Sequence, residues 1–83
     1  MRRDPRAYLW DGRAAATLIL QFTHGRTLEQ YLTDPMLRSA VERQFEIIGE
    51  ALNQLTKVAP TIAQRVPGIA EIVAFRNRLR YQP

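Results

Sequence analysis

Arg76 and Asn77 are the residues of this chain best suited to chemistry. They sit near the end of the last helix-like stretch, Ile69 to Arg80, whose apolar residues are Ile69, Ile72, Val73 and Leu79. At about 100° per residue, Arg76 projects from the middle of that apolar face. A cation there is costly unless an anion meets it. Two readings follow. In one, Arg76 is structural and pairs with a carboxylate or caps helix-end carbonyls. In the other, its guanidinium contacts a phosphate or stabilises the charge that develops on a transferring phosphoryl group, with no need of a metal. Asn77, next to it, could orient a phosphate or a ribose hydroxyl. Arg78 and Arg80 extend the basic end of the chain and are candidate RNA contacts, mirrored at the other end by Arg2, Arg3 and Arg6.

Other titratable groups are less pointed. His24 is the only histidine, hence the only side chain whose unperturbed pKa lies near neutrality. It precedes Gly25 in a loop, far along the chain from Arg76, and reads as a general base in principle or a solvated loop residue. Glu42, Glu46 and Glu50 recur at four-residue spacing and stack on one helix face, placed opposite the apolar stripe. With Arg38 and Arg43 nearby, that face is either solvated or a contact surface for arginines of a second chain. Two carboxylates can serve acid–base catalysis, but nothing in the sequence sets these beside a pocket. Gln44 falls within the apolar stripe and needs a partner if buried. Gly49, in mid-helix, points to close approach of another helix.

The elements that must position these groups are helical nearly throughout. Asp4-Pro5 is an N-cap followed by proline at the first helical position, which starts a helix running from about Pro5 to Thr23. Its stripe is Tyr8, Leu9, Ala15, Ala16, Ile19 and Phe22. Gly12 weakens this helix by about 1 kcal/mol relative to alanine or permits close helix contact. Gly25 supplies the C-terminal cap. Thr27 to Gln30 fits a capping box for one short turn to about Thr33. Asp34-Pro35 repeats the cap-plus-proline signal for the longest helix, about Pro35 to Val58, with Leu37, Ala40, Val41, Phe45, Ile48, Ala51, Leu52 and Leu55 on one broad face. Ala59-Pro60 stops it. A turn over Thr61 to Arg65 is expected before Val66-Pro67-Gly68, and the last helix starts near Ile69. No segment alternates with period two. The expectation is an all-α fold, an antiparallel up-down bundle of three main helices plus one or two short ones, with a groove that association with a second copy would close.

The 83 residues make one small domain, which buries about 60–65% of the surface its unfolded chain exposes. An apolar fraction of 46% argues against disorder. Cysteine is absent, and with a single histidine no disulfide, metal or cofactor is expected. No apolar run reaches the length of a membrane span, and the N-terminus lacks a signal peptide's apolar core; the reading is a cytoplasmic protein. The formal charge is +4, and eleven of the twelve basic residues are arginine. Arginine suits bidentate phosphate and carboxylate pairing, although a GC-rich genome also favours it. Single tyrosines such as Tyr31 and Tyr81 do not make a stacking platform for RNA.

Three stretches carry a resemblance: Arg3-Asp4-Pro5-Arg6-Ala7-Tyr8-Leu9-Trp10-Asp11, the run from Met36 to Leu52 with its Glu46-Ile47-Ile48-Gly49-Glu50 core, and Ala74-Phe75-Arg76-Asn77. From about residue 2 to residue 79 the chain resembles the HepT-like branch of the HEPN superfamily. The resemblance implies a helical bundle that dimerises, acting as the toxin of a type II toxin–antitoxin module with a small nucleotidyltransferase as antitoxin. It implies metal-independent RNA cleavage by a motif of arginine, a polar residue and, a few residues on, histidine, with a tyrosine two beyond that accepts AMP. Arg76 and Asn77 match the start of that motif. Tyr81 stands where the histidine is expected, and Pro83 where the tyrosine is. The agreement ends at Leu79 and the further C-terminal helix of the family is missing, the pattern of a frameshift or truncation. The resulting expectation is a ribonuclease-family chain that is itself inactive or weak. The alternatives are a non-catalytic helical dimer that binds the antitoxin or RNA, and a helical scaffold without a nucleic-acid role.

Overall fold

The computed structural model describes residues 3–81, the last three by their backbone alone. Five helices follow in order: α1 (Pro5–Thr23), α2 (Leu28–Thr33), α3 (Pro35–Val58), α4 (Pro60–Ala63) and α5 (Ile69–Tyr81), with no strand among the described residues. The bundle is built on α3, which packs against both α1 and α5 and carries α2 and α4 as well.

Local chemistry accounts for each helix boundary. The Asp4 carboxylate accepts from the backbone N–H of Arg6 at 2.9 Å and is gripped by the Arg6 side chain, with Nη2 to Oδ2 at 2.7 Å. These bonds favour its ionised form and hold the Asp4 pKa down at about 2. Gly25 takes φ of 71° past the end of α1, a left-handed conformation that a side chain would resist. Both halves of the capping box exist: Thr27 Oγ1 accepts from Gln30 N at 3.1 Å, and Gln30 Oε1 accepts from Thr27 N at 2.9 Å. Asp34 Oδ1 accepts from the N–H groups of Met36 and Leu37, both at 3.1 Å. The expected turn after α3 comes earlier than Thr61, because Pro60 does more than stop α3. Its fixed φ suits a first helical position, and it starts α4.

The core collects Leu37, Val41, Ile48, Ala51, Leu52 and Leu55 from α3, Ala15 from α1 and Ala63 from α4, with Leu55 wholly inaccessible. Tyr8, Ile19, Val66, Ile69, Ile72 and Val73 close around it. Phe45 of α3 meets Phe75 of α5 edge to face, ring centroids 5.1 Å apart. Within the expected stripe of α1, Ala16 and Leu9 are exposed and Phe22 is half-buried. Gln44 of α3 is half-buried, not deep in the core. Gly12 is buried, yet a Cβ there would meet nothing within 4 Å, so it marks no close contact between helices. Gly49 does: a Cβ on it would collide with Cβ and Cγ of Arg76. No helix of the described residues is long and apolar enough to cross a membrane.

Candidate functional site: an arginine-walled cleft

Because α3 is covered by α1 on one side and α5 on the other, a strip of its surface is left between them. That strip is the floor of an open cleft of about 640 Å³. Tyr8 and Asp11, three residues apart and so on one face of α1, form one wall with Arg3. Arg43, Glu46, Ile47, Glu50, Ala51 and Gln54 of α3 form the floor, and Arg76 of α5 the other wall.

Arg76 is buried, with 3% of its surface exposed. Its methylene stem lies across α3 at Gly49, where the missing side chain leaves room, and the guanidinium reaches Glu50. Nη2 lies 3.1 Å from Glu50 Oε2, in an ion pair between an arginine side chain 4% exposed and a glutamate side chain 51% exposed. The other oxygen of Glu50 is also engaged: Gln54 Nε2, one turn along α3, donates to Oε1 at 3.1 Å. Arg76 Nε is the one buried side-chain nitrogen or oxygen among the described residues that lacks a hydrogen-bond partner. Leaving such a donor unsatisfied costs about 1–3 kcal/mol.

The carboxylate-paired alternative for Arg76 is therefore the arrangement observed, and the pair forms part of the cleft lining. This corrects the placement of Glu42, Glu46 and Glu50 opposite the apolar stripe, where nothing in the sequence set them beside a pocket. A helix packed on two sides has two apolar faces, so its polar edge runs between its neighbours instead of opposite them. Glu46 and Glu50 line the cleft, and only Glu42 stays outside its lining. Two more exposed ion pairs share the lining. Arg3 Nη1 lies 2.9 Å from Asp11 Oδ2, with the Arg3 guanidinium 4.9 Å from the centroid of the Tyr8 ring. Arg43 Nη1 lies 3.8 Å from Glu46 Oε2. Three arginines thus face three carboxylates. Both of these pairs are well exposed and worth little, so an incoming anion can compete for Arg3 and Arg43 at small cost.

The remaining candidates are not gathered here. Asn77 and Arg78 are exposed on α5 and outside the cleft lining. The side chains of Leu79, Arg80 and Tyr81, and the whole of Arg2 and Pro83, lie outside the described residues. His24 is exposed and borders a different groove, with Gln21, Arg26, Asp34 and Met36, and it is not part of the lining that holds Arg76. Arg3, Tyr8, Asp11, Arg43 and Gln54 were not legible as site residues. Their one signal was that Arg3, Tyr8 and Asp11 fall within the N-terminal stretch, and Arg43 within the Met36–Leu52 run, that carry the family resemblance. No group of three or more possible metal-ligating side chains occurs among the described residues.

Fold and site together define a small all-helical domain whose cleft holds one deeply buried guanidinium against a partly exposed carboxylate. A family model described as Ribonuclease HepT-like matches residues 13–82, and the chain belongs to this HepT-like family of the HEPN superfamily. A probable ribonuclease HepT of Thermococcus cleftensis is 33% identical over 79 residues, covering 95% of this chain and 71% of the relative. A Methanocaldococcus jannaschii protein named as a candidate RNase is 31% identical over 80 residues, covering 94% of this chain and 71% of its own length. A candidate RNase of Caldanaerobacter subterraneus is likewise 31% identical over 80 residues, covering 96% and 70%. No solved structure matches the chain significantly.

Proposed function

We propose that this chain is an RNA-directed member of a toxin–antitoxin module, in which Arg76 meets a phosphodiester at the wall of the cleft and the chain as it stands cleaves RNA weakly or not at all. The observation that carries the reading is the placement of Arg76 within the family match. It is a buried cation with an unsatisfied N–H, bordering a cleft large enough for a nucleotide. In the family reaction this guanidinium stabilises the charge on the phosphorus-centred transition state, and a histidine takes the proton from the attacking hydroxyl. The 83 residues contain one histidine, His24, and it borders the other groove. Loss of general-base help removes roughly 10²–10⁴-fold in rate. A second reading draws on the same observation: a non-catalytic helical dimer that binds RNA, or a small nucleotidyltransferase antitoxin, without cutting. Asn77, next to Arg76 in the motif, is assigned to orienting the phosphate or a ribose hydroxyl, and Arg78 and Arg80 to RNA contact.

Cleavage of end-labelled RNA in the presence of a chelator, by this chain and its Arg76→Ala variant, tests the assignment. The expected result is binding without appreciable cleavage, with binding weakened in the variant. Robust cleavage abolished by Arg76→Ala would overturn the claim of inactivity, and binding indifferent to Arg76→Ala would remove the arginine from the site. Sedimentation, and pull-down with the product of a neighbouring nucleotidyltransferase gene, test the dimer and the antitoxin partner.

A further inference from the structure

Resting on the reading that Arg76 contacts phosphate, we infer that Glu50 is a positioning residue for that contact: its carboxylate, braced by Gln54, holds the Arg76 guanidinium at the cleft wall, and Gly49 is the notch that admits the arginine stem. Three neighbouring features of α3 converge on one side chain. Gly49 lacks the Cβ that would strike Cβ and Cγ of Arg76 and would lie 3.4 Å from its Cδ. Glu50 takes Nη2 at 3.1 Å. Gln54 donates to the second oxygen of Glu50 at 3.1 Å, which fixes the carboxylate plane from one turn away.

A guanidinium carries five N–H donors; with one set against Glu50 at Nη2 and the Nε–H buried, at most three terminal N–H groups are left for a ligand at the cleft wall. Unanchored, an arginine loses rotamer freedom each time it binds. Held by Glu50, its stem is already ordered, and an RNA phosphate meets a donor set in place. The two exposed pairs, Arg3–Asp11 and Arg43–Glu46, do not work this way, since neither arginine is buried.

A sign separates positioning from simple electrostatics. Glu50 is a negative charge facing a polyanion. If it acts only through its charge, Glu50→Gln tightens RNA binding. If it positions Arg76, Glu50→Gln weakens binding although a repulsive charge has gone. The test is fluorescence anisotropy of a labelled single-stranded RNA oligonucleotide with the full 83-residue chain. The variants are Arg76→Ala, Glu50→Gln and the double variant, each checked for native helical content and melting. Arg76→Ala is expected to weaken binding about tenfold or more, as for loss of a charge-assisted hydrogen bond. Glu50→Gln is expected to weaken it about three- to tenfold in the native background. In the Arg76→Ala background the same change should have no effect or tighten binding slightly, a non-additivity that marks coupling through the arginine.

If Arg76→Ala binds like the native chain, or the native chain has no RNA affinity, the phosphate reading falls and this inference with it. If Arg76→Ala weakens binding but Glu50→Gln leaves it unchanged or tightens it, the phosphate reading stands and the positioning role is overturned. A Glu50→Gln chain that does not fold leaves a measurement on the native protein, the Nε–Hε correlation of Arg76 in the ¹H–¹⁵N spectrum. Positioning requires a resolved signal, apart from the exposed arginines, that shifts on RNA titration and remains resolved. Merging with the bulk arginine signals at saturation would show that RNA displaces Glu50, and would overturn the role.

Discussion

Placing a methyl group at Gly49 and at Gly12 should change stability in opposite directions. Both glycines lie inside α-helices and both are buried, so helix propensity alone predicts that alanine stabilises each by about 0.8–1 kcal/mol. Surroundings decide otherwise at Gly49. The new Cβ would overlap Cβ and Cγ of Arg76, atoms at the root of a side chain that cannot swing away without moving α5. Restoring a carbon–carbon separation near 3.5–4.0 Å requires α3 and α5 to part by on the order of 1 Å, and this also loosens the Phe45–Phe75 contact. Overpacking of this kind costs about 1–3 kcal/mol. The overlap involves two atoms at the root of Arg76, so the upper part of that range, about 2–3 kcal/mol, applies; setting the propensity gain against it leaves a net loss of about 1–2 kcal/mol, or roughly 5–15 °C in Tm for a domain of this size. At Gly12 no atom lies within 4 Å of the added carbon, so the propensity term stands unopposed and Tm should rise by roughly 4–8 °C. Thermal melting by circular dichroism at 222 nm, with urea titration to confirm the ranking, measures both. Equal effects at the two positions, or a stabilised Gly49→Ala chain, would refute the packing of Arg76 on the α3 backbone.

Two further outcomes follow from the core and the first cap. Leu55→Ala removes the one large side chain with no accessible surface among the described residues and should cost about 2–5 kcal/mol. Against a total of roughly 4–12 kcal/mol for a domain this small, that should leave a readily measured unfolded fraction in chemical denaturation. Asp4 titrates with its folded pKa lowered from 3.8 to about 2 by Arg6. Its stabilising contribution is therefore complete above about pH 4 and fades as the pH falls toward 2. Asp4→Asn should flatten the stability profile in that window while leaving its shape above pH 5 unaltered, as read from denaturant midpoints at successive pH values; an unchanged acid limb would exclude this carboxylate from the start of α1.

The helix starts were legible in the sequence because their causes are local. Asp4, Thr27 and Asp34 each cap N–H groups two or three residues ahead, and the prolines that follow two of them can only sit in a first turn. The apolar character of α3 and the misfit of Arg76 within an apolar face were readable for the same reason, since 3.6-residue periodicity needs no knowledge of the rest of the fold. The cleft could not be read that way. Whether Glu50 faces water or Arg76, and whether Gly12 or Gly49 is the tight one, depends on which helices flank α3. That choice is made by packing between segments far apart in the chain. One-dimensional periodicity assigns a helix a single apolar and a single polar side; a central helix with neighbours on two sides keeps its polar strip between them. Tertiary structure alone turned that strip into the floor of a cleft and set a carboxylate beside the buried guanidinium.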